Sequence, residues 1–191
     1  PTGLQATATF ANEVDLSWIP STDNAAVAGY RVYQDGKEVL RTSATTFAVI
    51  GLKPATTYSF EVAAYDLFNN FSAHSTPISV TTLTSRTFRV GPTRVNNNAA
   101  LTFKSPGALA TANRNANRTL VQNGDTIEID AANYYYDDAI ANFYANNLTI
   151  RGVGGRPRID GHARSIDSRG VWALYGRNTV VENVELVGGH D

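Results

Sequence analysis

The chain has no cysteine and no methionine, and it is poor in charge. Without cysteine there are no disulfides and no thiolate metal centres. Charged residues make up 17% of the 191 residues and the formal net charge is −1. That balance gives no electrostatic basis for binding nucleic acid or an anionic membrane. No apolar run approaches the roughly 20 residues that cross a bilayer. The chain opens Pro1-Thr2-Gly3 rather than on Met and shows no leader, which reads as a mature or trimmed chain with its targeting segment gone.

Apolar residues reach 42%, enough for a real core and too many for a disordered chain. Residues 1–83 carry short alternating strands at regular spacing, the pattern of an all-β sandwich. Glu13-Val14-Asp15-Leu16-Ser17-Trp18 sets Val14, Leu16 and Trp18 on one face. Asp35-Gly36 predicts a tight hairpin turn. Thr57 to Tyr65 is the longest alternating strand, with Tyr58, Phe60, Val62 and Ala64 on one face, and Pro77 to Thr82 reads as the closing edge strand. Together these predict about seven strands.

Trp18, the run Leu52-Lys53-Pro54-Ala55-Thr56-Thr57-Tyr58 and the closing Val80-Thr81-Thr82 resemble a fibronectin type III domain. The resemblance covers nearly all of residues 1–83. It implies a core Trp18, and it sets Tyr58 at that family's tyrosine corner, where a buried ring bonds back through its hydroxyl to the upstream backbone. Ser21-Thr22-Asp23-Asn24 and Gly29-Tyr30-Arg31-Val32-Tyr33-Gln34-Asp35-Gly36 look like the bacterial modules attached to chitinases and other extracellular glycan-active enzymes.

Residues 84–124 read as a linker and cap. They hold a strand at Thr87-Phe88-Arg89-Val90, a stop at Gly91-Pro92 and a short helix within 106–117. From Asp125 to Asp191 three segments overlay: Asp125 to Ile129, Asn147 to Val153 and Asn178 to Val184. Aligning Ile129, Ile150 and Val181 gives a repeat of about 20 to 30 residues, the mark of a β-solenoid. Gly152 and Asn183 fall at equivalent positions, and both types tolerate the left-handed backbone that a sharp turn demands.

These repeated phrases resemble the first coils of pectate-lyase-like right-handed parallel β-helix proteins, with the helix within 106–117 as the N-terminal cap. The expected fold class is all-β: a fibronectin type III sandwich followed by the first coils of a parallel β-helix. No capping element is seen after Val184–Asp191. That predicts a covering by missing C-terminal coils or by self-association.

Candidate sites follow from residue types. Arg151, Arg156 and Arg158, with Arg164 and Arg169, form a basic stretch that suits bidentate pairing to an acidic glycan, or a solvated loop. Tyr134, Tyr135 and Tyr136 are aromatic candidates for glycan contact, or for packing. Asp137-Asp138 offers the oxygen ligands that Ca²⁺ takes, but one pair falls short of six ligands, so no cofactor is indicated. His162 and His190, near Asp160, Asp167 and Asp191, fit no metal spacing. No catalytic residue is assigned and no metal site is expected.

Two readings stand. One is part of a secreted, polysaccharide-associated protein, at the cell surface or outside a bacterium, with the sandwich as spacer and no complete catalytic site in this chain. The other is an extracellular structural protein that self-assembles through strand pairing at the open coil. Under either, nucleic acid and a membrane span are excluded as partners.

Overall fold

The computed structural model describes residues 1–24, 26–135, 141–160 and 172–187. The chain divides into two compact units, Pro1–Thr84 and Ser85–Asp191.

The first unit holds β1 (Thr2–Thr9), β2 (Glu13–Ile19), β3 (Val27–Gln34), β4 (Lys37–Thr42), β5 (Thr46–Ile50), β6 (Thr57–Asp66) and β7 (Ile78–Thr81). They form two antiparallel sheets, ordered β1-β2-β5 and β4-β3-β6-β7. Period-two alternation drives the burial. Val14, Leu16 and Trp18 of β2 meet Tyr58, Phe60 and Val62 of β6 in one core. Asp35 and Gly36 both take positive φ, 51° and 77°, as a two-residue turn matched to strand twist requires. Phe60, Val62 and Val32 have no exposed surface. Each such side chain contributes about 1.5–3 kcal/mol over leaving it in water.

The second unit begins with β8 (Thr87–Val90), β9 (Thr102–Phe103) and the helix α1 (Pro106–Asn115). It continues with β10 (Thr126–Asp130), β11 (Asn133–Tyr135), β12 (Ala141–Phe143), β13 (Thr149–Val153), β14 (Arg158–Asp160), β15 (Trp172–Leu174), β16 (Val180–Glu182) and β17 (Glu185–Val187). Three sheets result, ordered β16-β13-β10-β8-β9, β11-β14-β17 and β12-β15. Every pairing among these strands is parallel. From β10 onward the chain visits the three sheets in rotation. Like positions therefore stack: Phe88 on Ile127 on Ile150 on Val181, and Tyr134 on Ile159 on Leu186.

The register corrects one expectation. Ile127, not Ile129, pairs with Ile150, so the first repeat is 23 residues and the second is 31. A two-residue slip keeps the same side chains facing inward, so hydrophobic pattern alone cannot select between the two alignments. The turns select it. Gly124, Asn147 and Asn178 occupy equivalent turn positions, all with positive φ. Asn146 N–H donates to Asn123 Oδ1 at 2.8 Å, Arg177 N–H to Asn146 Oδ1 at 2.9 Å, and Asn178 Nδ2 to Asn147 Oδ1 at 3.1 Å. Each turn is thus bonded to the turn of the preceding repeat.

A second correction concerns Gly152. Asn183 takes the left-handed backbone, φ 52°, but Gly152 does not. Glycine is needed there for space. A Cβ on residue 152 would run into the backbone oxygen of Asn183 and the Pro157 ring. Asn183 Nδ2 then ties the same turn together, donating to Gly152 O at 3.0 Å and Gly155 O at 2.9 Å.

The helix follows from its ends. Ser105 caps it, accepting from Ala108 N–H at 3.1 Å, and Pro106 stands in the first turn where no donor is lost. Its fully buried Leu109 joins the core of Phe88, Phe103, Ile127 and Phe143. Arg86 ties the start of the unit to the turn before β10, meeting the buried Asp125 through Nε at 3.2 Å and Nη2 at 2.5 Å and donating to Leu120 O at 2.8 Å.

Candidate functional site

On the outer face of the largest parallel sheet, charges alternate from strand to strand. Arg89, Glu128, Arg151 and Glu182 occupy one register line. Glu128 Oε1 lies 2.6 Å from Arg151 Nη2, and Glu128 Oε2 lies 3.0 Å from Arg89 Nη1. The hydrogen bond to Glu128 raises the Arg151 pKa above its ordinary value. Arg158 is likewise held, by Asp160 at 3.2 Å and by Glu185, its register partner on β17, at 3.5 Å. Arg151 and Arg158 are therefore committed to partners within the sheets. Arg156 is exposed on the turn between β13 and β14.

The tyrosine run divides. Tyr134 is buried, and its hydroxyl donates to Asp130 O at 3.1 Å. Burial, with the Asp130 charge as the lesser cause, pushes its phenol up to about 12. This overturns Tyr134 as a glycan contact: the inward face of β11 carries it into the core. Tyr135, the next residue, points outward and is half-exposed, as strand alternation requires. Tyr136, the Asp137-Asp138 pair, His162 and His190 lie outside the described residues.

A further cluster forms where α1 meets β12. Thr111, Asn113, Arg114, Arg118, Asn142 and Tyr144 line a cavity of about 100 Å³. The helix fixes Asn113 inward, where its Oδ1 accepts from Val121 N–H at 3.0 Å. The chain then leaves the helix through two left-handed residues, Asn117 at φ 50° and Arg118 at φ 64°. For Arg118 that backbone costs about 1–2 kcal/mol. It sets the guanidinium 4.0 Å from the centre of the Tyr144 ring. Tyr144 stacks in turn on Tyr175, its equivalent one repeat later, at 4.6 Å and 6° between planes. In the same unit Arg86, Arg89, Arg94, Arg151 and Arg158 each bridge to a carboxylate. Arg114 and Arg118 bridge to none among the described residues; Arg114 reaches only the Thr111 hydroxyl at 3.5 Å.

Sequence motifs did not single out this pair, but a charge signal was present. Residues 67–124 contain five arginines and one lysine and no acidic residue. Local cations in that stretch must find distant carboxylates or stay unpaired.

Residues 1–81 match the fibronectin type III domain family. The N-terminal unit is a fibronectin type III domain. This domain is 51% identical over 82 residues to Chitinase Chi52 of Paenibacillus xylanexedens, covering 43% of this chain and 16% of that protein. It is 52% identical over 82 residues to Exoglucanase A of Cellulomonas fimi, covering 43% of this chain and 9% of that one. The chain thus spans less than a fifth of either relative. Among solved structures, a family 28 exopolygalacturonase of Yersinia enterocolitica overlays 84% of this chain and 32% of its own length, at 20% identity and a TM-score of 0.46.

Within the fibronectin type III domain Trp18 is buried, edge-on to Tyr30 at 5.4 Å, so it offers no ring face to a sugar. Tyr58 OH accepts from Lys53 N–H at 2.8 Å. Aromatic contacts at the domain's surface include Tyr33 stacked on His74 at 4.4 Å, Arg31 over Phe71 at 3.9 Å and Tyr65 tilted against Phe71 at 6.3 Å.

Proposed function

We propose that this chain is part of a secreted bacterial protein that associates with polysaccharide. In this reading the fibronectin type III domain is an accessory spacer. Residues 84–124 serve as linker and cap, and the chain from 125 winds the first coils of a right-handed parallel β-helix. The observation that carries it is the rotation of parallel strands through three sheets, with like residues stacking every 23 to 31 residues. Parallel crossovers of this kind are right-handed in nearly all proteins. Kinship of the N-terminal domain with a chitinase and an exoglucanase supports polysaccharide as the partner. The chain holds no complete catalytic site in this reading.

The test is retention of the 191-residue chain on chitin, cellulose and polygalacturonate, with release of reducing ends followed in parallel. Retention by at least one polymer without product is the expected result. Retention by none sinks the reading.

Self-assembly is the second reading, favoured by one observation. Val180, Val181 and Leu186 of β16 and β17 are exposed apolar residues, and Val181 continues the stack of Phe88, Ile127 and Ile150. Light scattering across a concentration series decides it: ordered growth with concentration supports it, and a constant monomer mass removes it.

A further inference from the structure

We infer that the cavity between α1 and β12 binds the anionic substituent of a sugar residue, a carboxylate or a sulfate, between Arg114 and Arg118. The inference deepens the polysaccharide reading and rests on it for the ligand being a sugar. The demand for an anion comes from the site itself. Two guanidinium groups line one small cavity with no described carboxylate to answer them, whereas Arg86, Arg89, Arg94, Arg151 and Arg158 are paired and the other unbridged described arginines of the unit, Arg156 and Arg177, stand exposed away from this cavity's lining. Both arginines line the same cavity, and like charges held that close repel. The adjoining helix C-terminus offsets only a fraction of one charge. A bound anion would relieve both arginines at once, with the parallel N–H geometry that guanidinium presents to carboxylate or sulfate.

The remaining lining is suited to the same group. The Tyr144 ring carries the Arg118 guanidinium over it and stacks on Tyr175. Its edge and hydroxyl are what it offers to a ligand. An aromatic edge is the electropositive part of the ring. Asn142 and Thr111 supply neutral groups of the kind that bond sugar hydroxyls. Size limits the ligand. A volume of about 100 Å³ suits one anionic group with the adjoining ring atoms inside the cavity. Arg118 holds its place at the cost of a left-handed backbone, and strained residues of this kind cluster at binding sites.

The experiment is calorimetric titration of the 191-residue chain with glucuronate, glucose 6-sulfate, glucose and inorganic sulfate. Binding of an acidic sugar without binding of glucose is expected, and the tighter of the two acidic arms identifies the anion. Arg114→Gln should weaken that binding about tenfold, the loss expected for one charge-assisted hydrogen-bonding partner. Arg118→Lys keeps the charge but loses the fork, and should weaken it by a similar factor. Among the described residues the Arg114 side chain makes one long hydrogen bond, so its substitution leaves the fold intact; an unchanged thermal midpoint checks this. Three outcomes overturn the inference: equal behaviour of glucuronate and glucose, inorganic sulfate binding as tightly as the acidic sugars, or unchanged affinity in both variants. Polymer retention that survives Arg114→Gln with no acidic-sugar binding sinks the pocket and spares the polysaccharide reading. Acidic-sugar binding with no polymer retained does the reverse.

Discussion

The two units solve the same packing problem with opposite topologies. In the fibronectin type III domain each sheet is antiparallel, and β3 and β4 meet through a two-residue turn. In the parallel unit, strand partners from β10 onward lie 23 to 31 residues apart. Local turn chemistry can therefore set register in the first, but in the second register is set by what stacks on what. Asparagine lies on asparagine at the turns, Tyr144 on Tyr175, and glutamate between two arginines. Stacked repeats of this kind draw stability from nearest neighbours. A residue that closes two repeats onto each other should matter more than one of similar type in the sandwich.

Glycines give the largest contrast. Gly152 is pressed against the next repeat, and a side chain there meets backbone rather than a movable side chain. Gly152→Val should cost about 3 kcal/mol, in the range of forced overpacking. Gly36→Ala in the sandwich meets nothing within 4 Å and bears only the left-handed penalty, about 1 kcal/mol. Each unit has one tryptophan, Trp18 and Trp172. Urea unfolding followed by fluorine NMR of fluorotryptophan reads the two costs separately. Equal costs would show that the close approach at Gly152 is soft.

The corner tyrosine comes next. Tyr58→Phe removes the acceptor of Lys53 N–H and leaves that donor unanswered. A loss of about 1–2 kcal/mol is expected in the Trp18 resonance's transition. The parallel unit's counterpart is electrostatic. Glu128→Gln leaves Arg89 and Arg151 facing each other across one amide and should cost about 1 kcal/mol. That penalty should shrink in 1 M salt, whereas the Tyr58 penalty should not. Salt-independence of both would assign the Glu128 effect to packing.

This division also explains what could be read from sequence. Asp35-Gly36 and the alternation of Tyr58, Phe60 and Val62 are local signals, and each specifies its own geometry. Ile127 and Ile129 both face inward, so nothing in their pattern chose between a 21-residue and a 23-residue repeat. Gly152 was legible as a special position but for the wrong reason, because the pressure on it comes from Asn183, 31 residues on. Tyr134 and Tyr135 are identical as residues, and only strand phase separates core from surface. The Arg114–Arg118 cavity was illegible because its walls come from α1 and β12, which no short motif joins. The absence of acid from residues 67–124 was the one trace of it.

The smallest effect sharpens the contrast at high pH. Tyr134 ionises near 12 in the folded chain because burial disfavours its charged form, against about 10 when unfolded. The folded pKa is raised, so its contribution to stability is complete below pH 10. As pH climbs from 10 toward 12 the unfolded chain releases the proton first, and that contribution is lost. The Tyr134–Asp130 hydrogen bond is only part-buried, so the loss at pH 11 should stay under about 1 kcal/mol. Tyr134→Phe removes the titrating group, and comparison with the unsubstituted chain cancels the other tyrosines. The variant's Trp172 transition should be the flatter of the two between pH 10 and 12, while the Trp18 transition stays the same in both. Parallel slopes at Trp172 would mean that Tyr134 is as solvated as the exposed Tyr135, and would reopen its outward role.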